Sequence, residues 1–124
     1  MQQLVRNPAE TALAQTAKRV LPAGTFGNTV LDIVIARGKA GHVWDVSGNE
    51  YVDYHSGFGV NAVGHAHPKI VEAVSDVVRR GTHFAVTTEL TVAFAEELCR
   101  RFKMDQVRFC NSGTEATMDA IRIA

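Results

Sequence analysis

No apolar run in this 124-residue sequence approaches the ~20 residues that a membrane-spanning helix needs. The membrane-helix class is thereby set aside. Neither sign of charge is in excess: 13 Lys and Arg stand against 13 Asp and Glu. There is no basic run and no stripe mixing aromatics with basic residues, so neither nucleic acid nor an anionic membrane is an expected partner. Cysteine is scarce. Cys99 and Cys110 form no CxxC pair and no zinc spacing, which fits free thiols in a reducing cytosol and a cytoplasmic protein. The opening stretch MQQLVRNPAETALAQ lacks the apolar centre of a signal peptide. Internal repeats and low-complexity segments are missing too. The length suffices for one ordinary domain with a modest core.

What is present changes character along the chain. Residues 8–20 are rich in Ala, Gln, Lys and Arg and read as a helix, which Pro22 and Gly24 end. LPAGTFGNT, residues 21–29, reads as a loop. A small antiparallel meander follows. Its strands are expected at Ile33, Val34 and Ile35, at Val43, Trp44 and Val46, and at Tyr51, Val52 and Tyr54. Ser47-Gly48-Asn49 supplies hairpin-turn chemistry between the last two. From Pro68 the period becomes helical, with Ile70, Val71, Val74, Val77 and Val78 on one side and Glu72, Asp76 and Arg79 on the other. Gly81 stops that helix. A further helix is expected over residues 88–101, then a short buried strand QVRFC (106–110), then a helix through TEATMDAIRIA. Helix, strand, tight turn and helix make the grammar of an α/β layer fold with a parallel sheet. The chain ends on Ala124 without a helix-stop signal, and one strand makes no sheet. The sequence therefore reads as the N-terminal piece of a longer protein.

NSGTEA, residues 111–116, stands between that expected strand and helix. A helix N-terminus leaves its first N–H groups unpaired and carries the positive end of the macrodipole. A glycine lets a ligand approach the backbone, and the hydroxyls of Ser112 and Thr114 add donors. Ser112, Gly113 and Thr114 thus form a candidate phosphate cradle at the carboxyl edge of a sheet. The same letters also form a capping box, in which Ser112 and Glu115 satisfy each other's neighbouring N–H groups with no ligand at all. Glu115 sits awkwardly beside an anion unless its carboxylate points elsewhere.

FCNSGTEATMDAIRIA, taken with GHVWDVSGNEYVDYHSGFGVNAVGHAHPKIVEAV, resembles the N-terminal part of the class III aminotransferases, fold-type I enzymes that use pyridoxal 5'-phosphate. LPAGTFGNT is similar to the glutamate-1-semialdehyde aminomutase branch, but has Thr25-Phe26-Gly27-Asn28 where that branch has asparagine-serine-proline after its glycines. The resemblance runs from about Leu21 to Ala124 and implies a fold-type I α/β architecture. Residues 1–60 would be the N-terminal helix and meander of the small domain, and residues 61–124 the start of the large cofactor domain. It implies that Ser112, Gly113 and Thr114 hold the cofactor phosphate, and that Phe58, in the loop after the third strand, reaches the substrate; a buried core aromatic is the alternative for Phe58. It also implies a homodimer acting on a small-molecule amino donor and a carbonyl acceptor. The family's Schiff-base lysine, ring-nitrogen Asp and stacking aromatic lie downstream of the turn. Lys18, Lys39, Lys69 and Lys103 have no match to that lysine, so this chain contains no assigned catalytic residue and is expected to be inactive by itself.

Other motifs point to plainer roles. Gly57-Phe58-Gly59-Val60-Asn61-Ala62 fits a loose GxGxxA pattern, but no helix opens there as a dinucleotide site would need. His65 and His67 have no third ligand nearby, so no metal site is expected; they should hydrogen-bond the loop and the start of the next helix. His42, His55 and His83 stand alone. Trp44 is expected in the core. The Leu90, Phe94 and Leu98 stripe is expected in a core or a dimer surface. Two other function classes stay open. One is a binding protein that keeps the cradle without catalysis, and the other is an α/β domain with a capped helix and no ligand.

Overall fold

The structure, a computed structural model, describes residues 4–26 and 31–124. The chain divides into two compact units, Met1–Arg80 and Gly81–Ala124. Much of the loop 21–29 falls in the first unit, but its residues 27–29 lie outside the described part.

The first unit opens with α1 (Pro8–Val20). Asn7 caps it, its side chain accepting from the Glu10 N–H at 2.8 Å, and Pro8 occupies the first helical position, where no donor is needed. A 3-10 turn at Pro22–Gly24 follows. The meander is a three-stranded antiparallel sheet in the order β1 (Ile35–Lys39), β2 (His42–Asp45) and β3 (Glu50–Val52). Gly48 adopts φ 87° in the β2–β3 turn, and its N–H donates to the Asp45 carbonyl. The β2–β3 register pairs Val43 with Tyr51, as the turn chemistry requires.

The first strand begins later than its β-branched residues suggest. The Val34 N–H donates to the Glu10 carboxylate at 3.1 Å and is lost to the ladder. Pairing starts at Ile35, passes a register shift between Ile35 and Arg37, and runs on through Gly38 and Lys39. Tyr54 lies outside β3, because Asp53 ends the strand and turns the chain.

A polar network fastens α1 to the sheet. Glu10, 1% exposed, accepts from Val34 and from the Ser47 hydroxyl. Asn7 donates through Nδ2 to the Val46 carbonyl, and its N–H donates to Ser47 Oγ. Asp45, also buried, accepts from the Asn49 N–H, from Asn49 Nδ2 and from the Tyr51 hydroxyl at 2.7 Å. Burial pushes the Asp45 carboxyl up, but these hydrogen bonds outweigh it and hold it below the ordinary carboxylate range. Burial and the bond to Asp45 push Tyr51 up to about 12. Among the described residues the buried hydrophobic is Ala14, so the first unit is tied by polar groups more than by a core. It closes with α2 (Pro68–Arg80), whose apolar stripe Ile70, Val71, Val74 and Val78 is about half exposed.

The second unit contains α3 (Glu89–Phe102), residues 106–110, and α4 (Gly113–Ile123). Thr88 caps α3 through its side chain. Residues 106–110 are not a strand: no segment among the described residues pairs with them, and a strand exists only through its neighbours. They are held by side chains instead. Phe109 stacks on Phe94 at 5.3 Å, and Arg108 reaches Asp119 at 2.6 Å. Of the apolar stripe, Leu90 and Phe94 remain more than half exposed and Leu98 is half-buried.

Candidate functional site

Ser112, Gly113 and Thr114 meet at the start of α4, in the second unit. Ser112 is the N-cap, in extended conformation, and its Oγ accepts from the Glu115 N–H at 3.2 Å. Glu115 folds back the other way. Its Oε2 accepts from the Asn111 N–H at 2.8 Å and from the Ser112 hydroxyl at 3.2 Å. The capping box is therefore formed in a variant geometry: Glu115 accepts from the N–H of the residue before the cap and from the cap's hydroxyl. Its carboxylate is occupied on the Asn111 side of the turn, which answers its awkward presence beside an anion.

That arrangement leaves a defined set of donors. The N–H groups of Gly113 and Thr114 have no acceptor among the described residues, and neither does the Thr114 hydroxyl. The Ser112 hydroxyl proton already goes to Glu115, so this hydroxyl can serve a ligand only by releasing that bond. Thr114 borders an open cleft of about 490 Å³ with Thr117, Met118, Ile121 and Arg122.

Gly113 tests whether the turn fits a phosphate. Its φ is not in the left-handed region, and a Cβ added there would meet nothing of the described chain within 4 Å. Neither backbone nor packing within the chain demands glycine, which weakens a helix relative to alanine. The position lies at the positive end of α4, beside the two free N–H groups. The residues present fit the group.

Phe58 lies in the first unit. It is 72% exposed among the described residues. It sits in a left-handed turn in which Ser56, Gly57, Phe58 and Gly59 all have positive φ, from 45° to 83°. No helix opens at Gly57–Ala62, so the GxGxxA letters build no dinucleotide turn; α2 starts only at Pro68. Asp53, which sequence reasoning passed over, organises this turn. Its Oδ1 accepts from the N–H groups of His55 and Ser56, each at 3.0 Å, and its Oδ2 meets His65 Nε2 at 2.7 Å. The bond to His65, then the Ser56 N–H, hold the Asp53 carboxyl below the ordinary range. The signal available in the sequence was an Asp two residues before a turn, the pattern of an Asx-turn.

The histidines take structural places. His65 bridges to Ala40 through two backbone bonds of 2.8 Å, and the His67 carbonyl accepts from Ile70 and Val71 at the start of α2. No group of three or more metal-ligating side chains exists among the described residues. His42 lies 2.9 Å from Glu50 and stacks with Trp44. Trp44 is half-buried, with the Arg37 guanidinium 3.6 Å above its ring. Among the described residues no helix is long and apolar enough to cross a membrane.

A family model described as Aminotransferase class-III matches residues 24–124. A glutamate-1-semialdehyde 2,1-aminomutase from Sulfurihydrogenibium azorense is 48% identical over 93 residues, 74% of this chain and 22% of its own. One from Thermus thermophilus is 40% identical over 130 residues, 97% of this chain and 30% of its own. Among solved structures, an omega-transaminase from Sphaerobacter thermophilus aligns with TM-score 0.82 at 39% identity, over 92% of this chain and 27% of that one. A transaminase with PLP bound aligns with TM-score 0.85 at 33% identity, over 96% of this chain and 29% of that one. The chain thus spans less than a third of the length of these relatives.

Proposed function

Since the chain belongs to the class III aminotransferase family, whose model covers residues 24–124, we propose that Ser112, Gly113 and Thr114 hold the phosphate of pyridoxal 5'-phosphate in an amino-group transfer enzyme. The fold of the chain is that of the fold-type I transaminases it aligns with. The reaction moves an amino group between a small amino acid or amine and a keto acid or aldehyde. The observation that carries the reading is the unpaired pair of N–H groups at Gly113 and Thr114, beside a glycine that the chain itself does not need.

When bound, pyridoxal phosphate supplies an electron sink for bond changes at the substrate's amine-bearing carbon. This chain's part is to bind and orient. The Gly113 and Thr114 N–H groups and the Thr114 hydroxyl would donate to phosphate oxygens, the Ser112 hydroxyl would join them on releasing Glu115, and the α4 dipole would favour the dianion. Glu115 keeps its negative charge turned to Asn111. Phe58 presents an apolar face to the substrate. Residues 61–124 begin the cofactor-binding domain and residues 1–60 the smaller one. The working protein is a homodimer in the cytosol, consistent with free Cys99 and Cys110; the chain by itself does not transaminate.

The names of the relatives favour a second reading, glutamate-1-semialdehyde 2,1-aminomutase, an intramolecular transfer. One assay separates them. The full-length protein, loaded with cofactor, is given glutamate-1-semialdehyde alone, and separately an amine with a keto acid. Turnover of the pair supports transamination, and turnover of the semialdehyde without a second substrate supports the aminomutase. Turnover of neither, with no cofactor retained, overturns both.

A further inference from the structure

The turn that carries Phe58 is costly to make. Four successive residues adopt positive φ, and two of them, Ser56 (45°) and Phe58 (62°), are not glycine. A bulky residue in the left-handed region clashes with its own backbone and brings none of the local hydrogen bonds that let Asn or Asp sit there. Folding alone would favour Gly or Asn at position 58. The chain instead places a large ring there and leaves it 72% exposed. Strain of this kind persists only where surrounding structure over-determines it.

Surrounding structure does so here. The Gly59 N–H donates to the His55 carbonyl at 3.1 Å, and the Asn61 N–H to the Ser56 carbonyl at 3.0 Å, closing the turn. The Phe58 N–H donates to His55 Nδ1 at 3.2 Å, and the two rings meet edge to face at 4.1 Å. Asp53 supports the base of the turn through the His55 and Ser56 N–H groups. Behind Asp53 stands His65, itself fixed to Ala40 by two backbone bonds and packed so closely on Gly38 that a Cβ there would lie 2.6 Å from the imidazole ring. The Asp53 N–H also donates to the Gly41 carbonyl at 2.8 Å. An unbroken series of contacts thus runs from the β1–β2 hairpin through His65 and Asp53 to the ring of Phe58.

We propose that Asp53, backed by His65, is a positioning residue: it holds the left-handed turn so that the Phe58 ring is fixed in place to receive substrate. This rests on the reading of Phe58 as substrate-facing. Asp53 touches no substrate and acts only through the turn.

The test uses the full-length, cofactor-loaded enzyme. Asp53→Ala is expected to raise KM about tenfold, the scale of a small misplacement of a positioning group, with the cofactor absorbance unchanged. Phe58→Ala is expected to raise KM similarly. The double variant should be no worse than the worse single, because both remove one function. Asp53→Asn, which keeps an oxygen for the His55 and Ser56 N–H groups, should restore most of the loss. A raised KM in Phe58→Ala with none in Asp53→Ala overturns the positioning role and leaves the substrate-facing reading standing. A raised KM in Asp53→Ala with none in Phe58→Ala overturns the substrate-facing reading, and the positioning of Phe58 with it. Fully additive effects overturn the link between the two. Should Asp53→Ala fail to fold, His65→Ala removes only the backing. A KM rise rescued by His65→Gln supports the proposal, and an unchanged KM in folded His65→Ala overturns it.

Discussion

Ser112 and Thr114 carry hydroxyls two positions apart, yet the structure gives them different work. Ser112 Oγ is the cap of α4 and is engaged with Glu115 on both sides. Thr114 Oγ1 has no partner among the described residues. Ser112→Ala should therefore cost the helix about 1 kcal/mol, the usual value of an N-cap, read as a lower thermal midpoint of the cofactor-free protein. Thr114→Val should leave that midpoint in place and weaken cofactor binding by roughly tenfold, the scale of a hydrogen bond to a charged group. Equal effects of the two variants on both measurements would remove the distinction. These roles were half legible in the sequence. The letters SGTE announce a cap and a cradle alike, and the direction of the Glu115 carboxylate decides what each residue is free to do. Glu10 was not legible, because Val34 and Ser47 lie in segments distant in the chain; Asp53 carried a local Asx-turn signal, but its bond to His65 was not legible.

At the scale of elements, the helices were readable and the strands less so. Asn7, Pro8 and Thr88 mark helix starts by local chemistry, so α1 and α3 fall where capping rules put them. Strands depend on partners. Ile33 and Val34 have the side chains of a strand, but Glu10 takes the Val34 N–H and moves the start of β1 onward. QVRFC has the composition of a buried strand and nothing among the described residues to pair with. The joint between α1 and the meander gives its own prediction. Glu10→Ala leaves the Val34 N–H and the Ser47 hydroxyl without their acceptor in a partly buried place, at a cost of about 2 kcal/mol. Amide hydrogen exchange should show residues of α1 losing protection while those of α4 keep theirs. Unchanged exchange in α1 would mean that the helix is held by something else.

Across the described residues, the balance lies with polar ties and not with a core. Large apolar residues such as Val60, Val86, Ile121 and Ile123 stay exposed, and Ala14 is the buried hydrophobic among the described residues. The isolated 1–124 chain should accordingly melt without a cooperative transition and show no transaminase activity; a sharp calorimetric transition would contradict the first statement. The ties also set the pH range. Asp45 and Asp53 have folded pKa values below the ordinary one of about 3.9. Their contribution to stability is complete above that value and is lost as pH falls through the lower folded values. Tyr51 is raised to about 12, so its contribution is complete below about 10 and is lost as pH rises towards 12. Thermal midpoints of the full-length protein should fall below about pH 4 and above about pH 10, and Tyr51→Phe should flatten the alkaline limb. The most direct test of the central claim is the dissociation constant of pyridoxal 5'-phosphate for the full-length protein and its Gly113→Ala variant. A Cβ at position 113 meets nothing of the described chain and alanine is the better helix former, so the account predicts a melting temperature that does not fall in the cofactor-free state and binding weakened by roughly tenfold or more. Equal affinity in the two proteins would contradict it, and the turn would then be a helix cap alone.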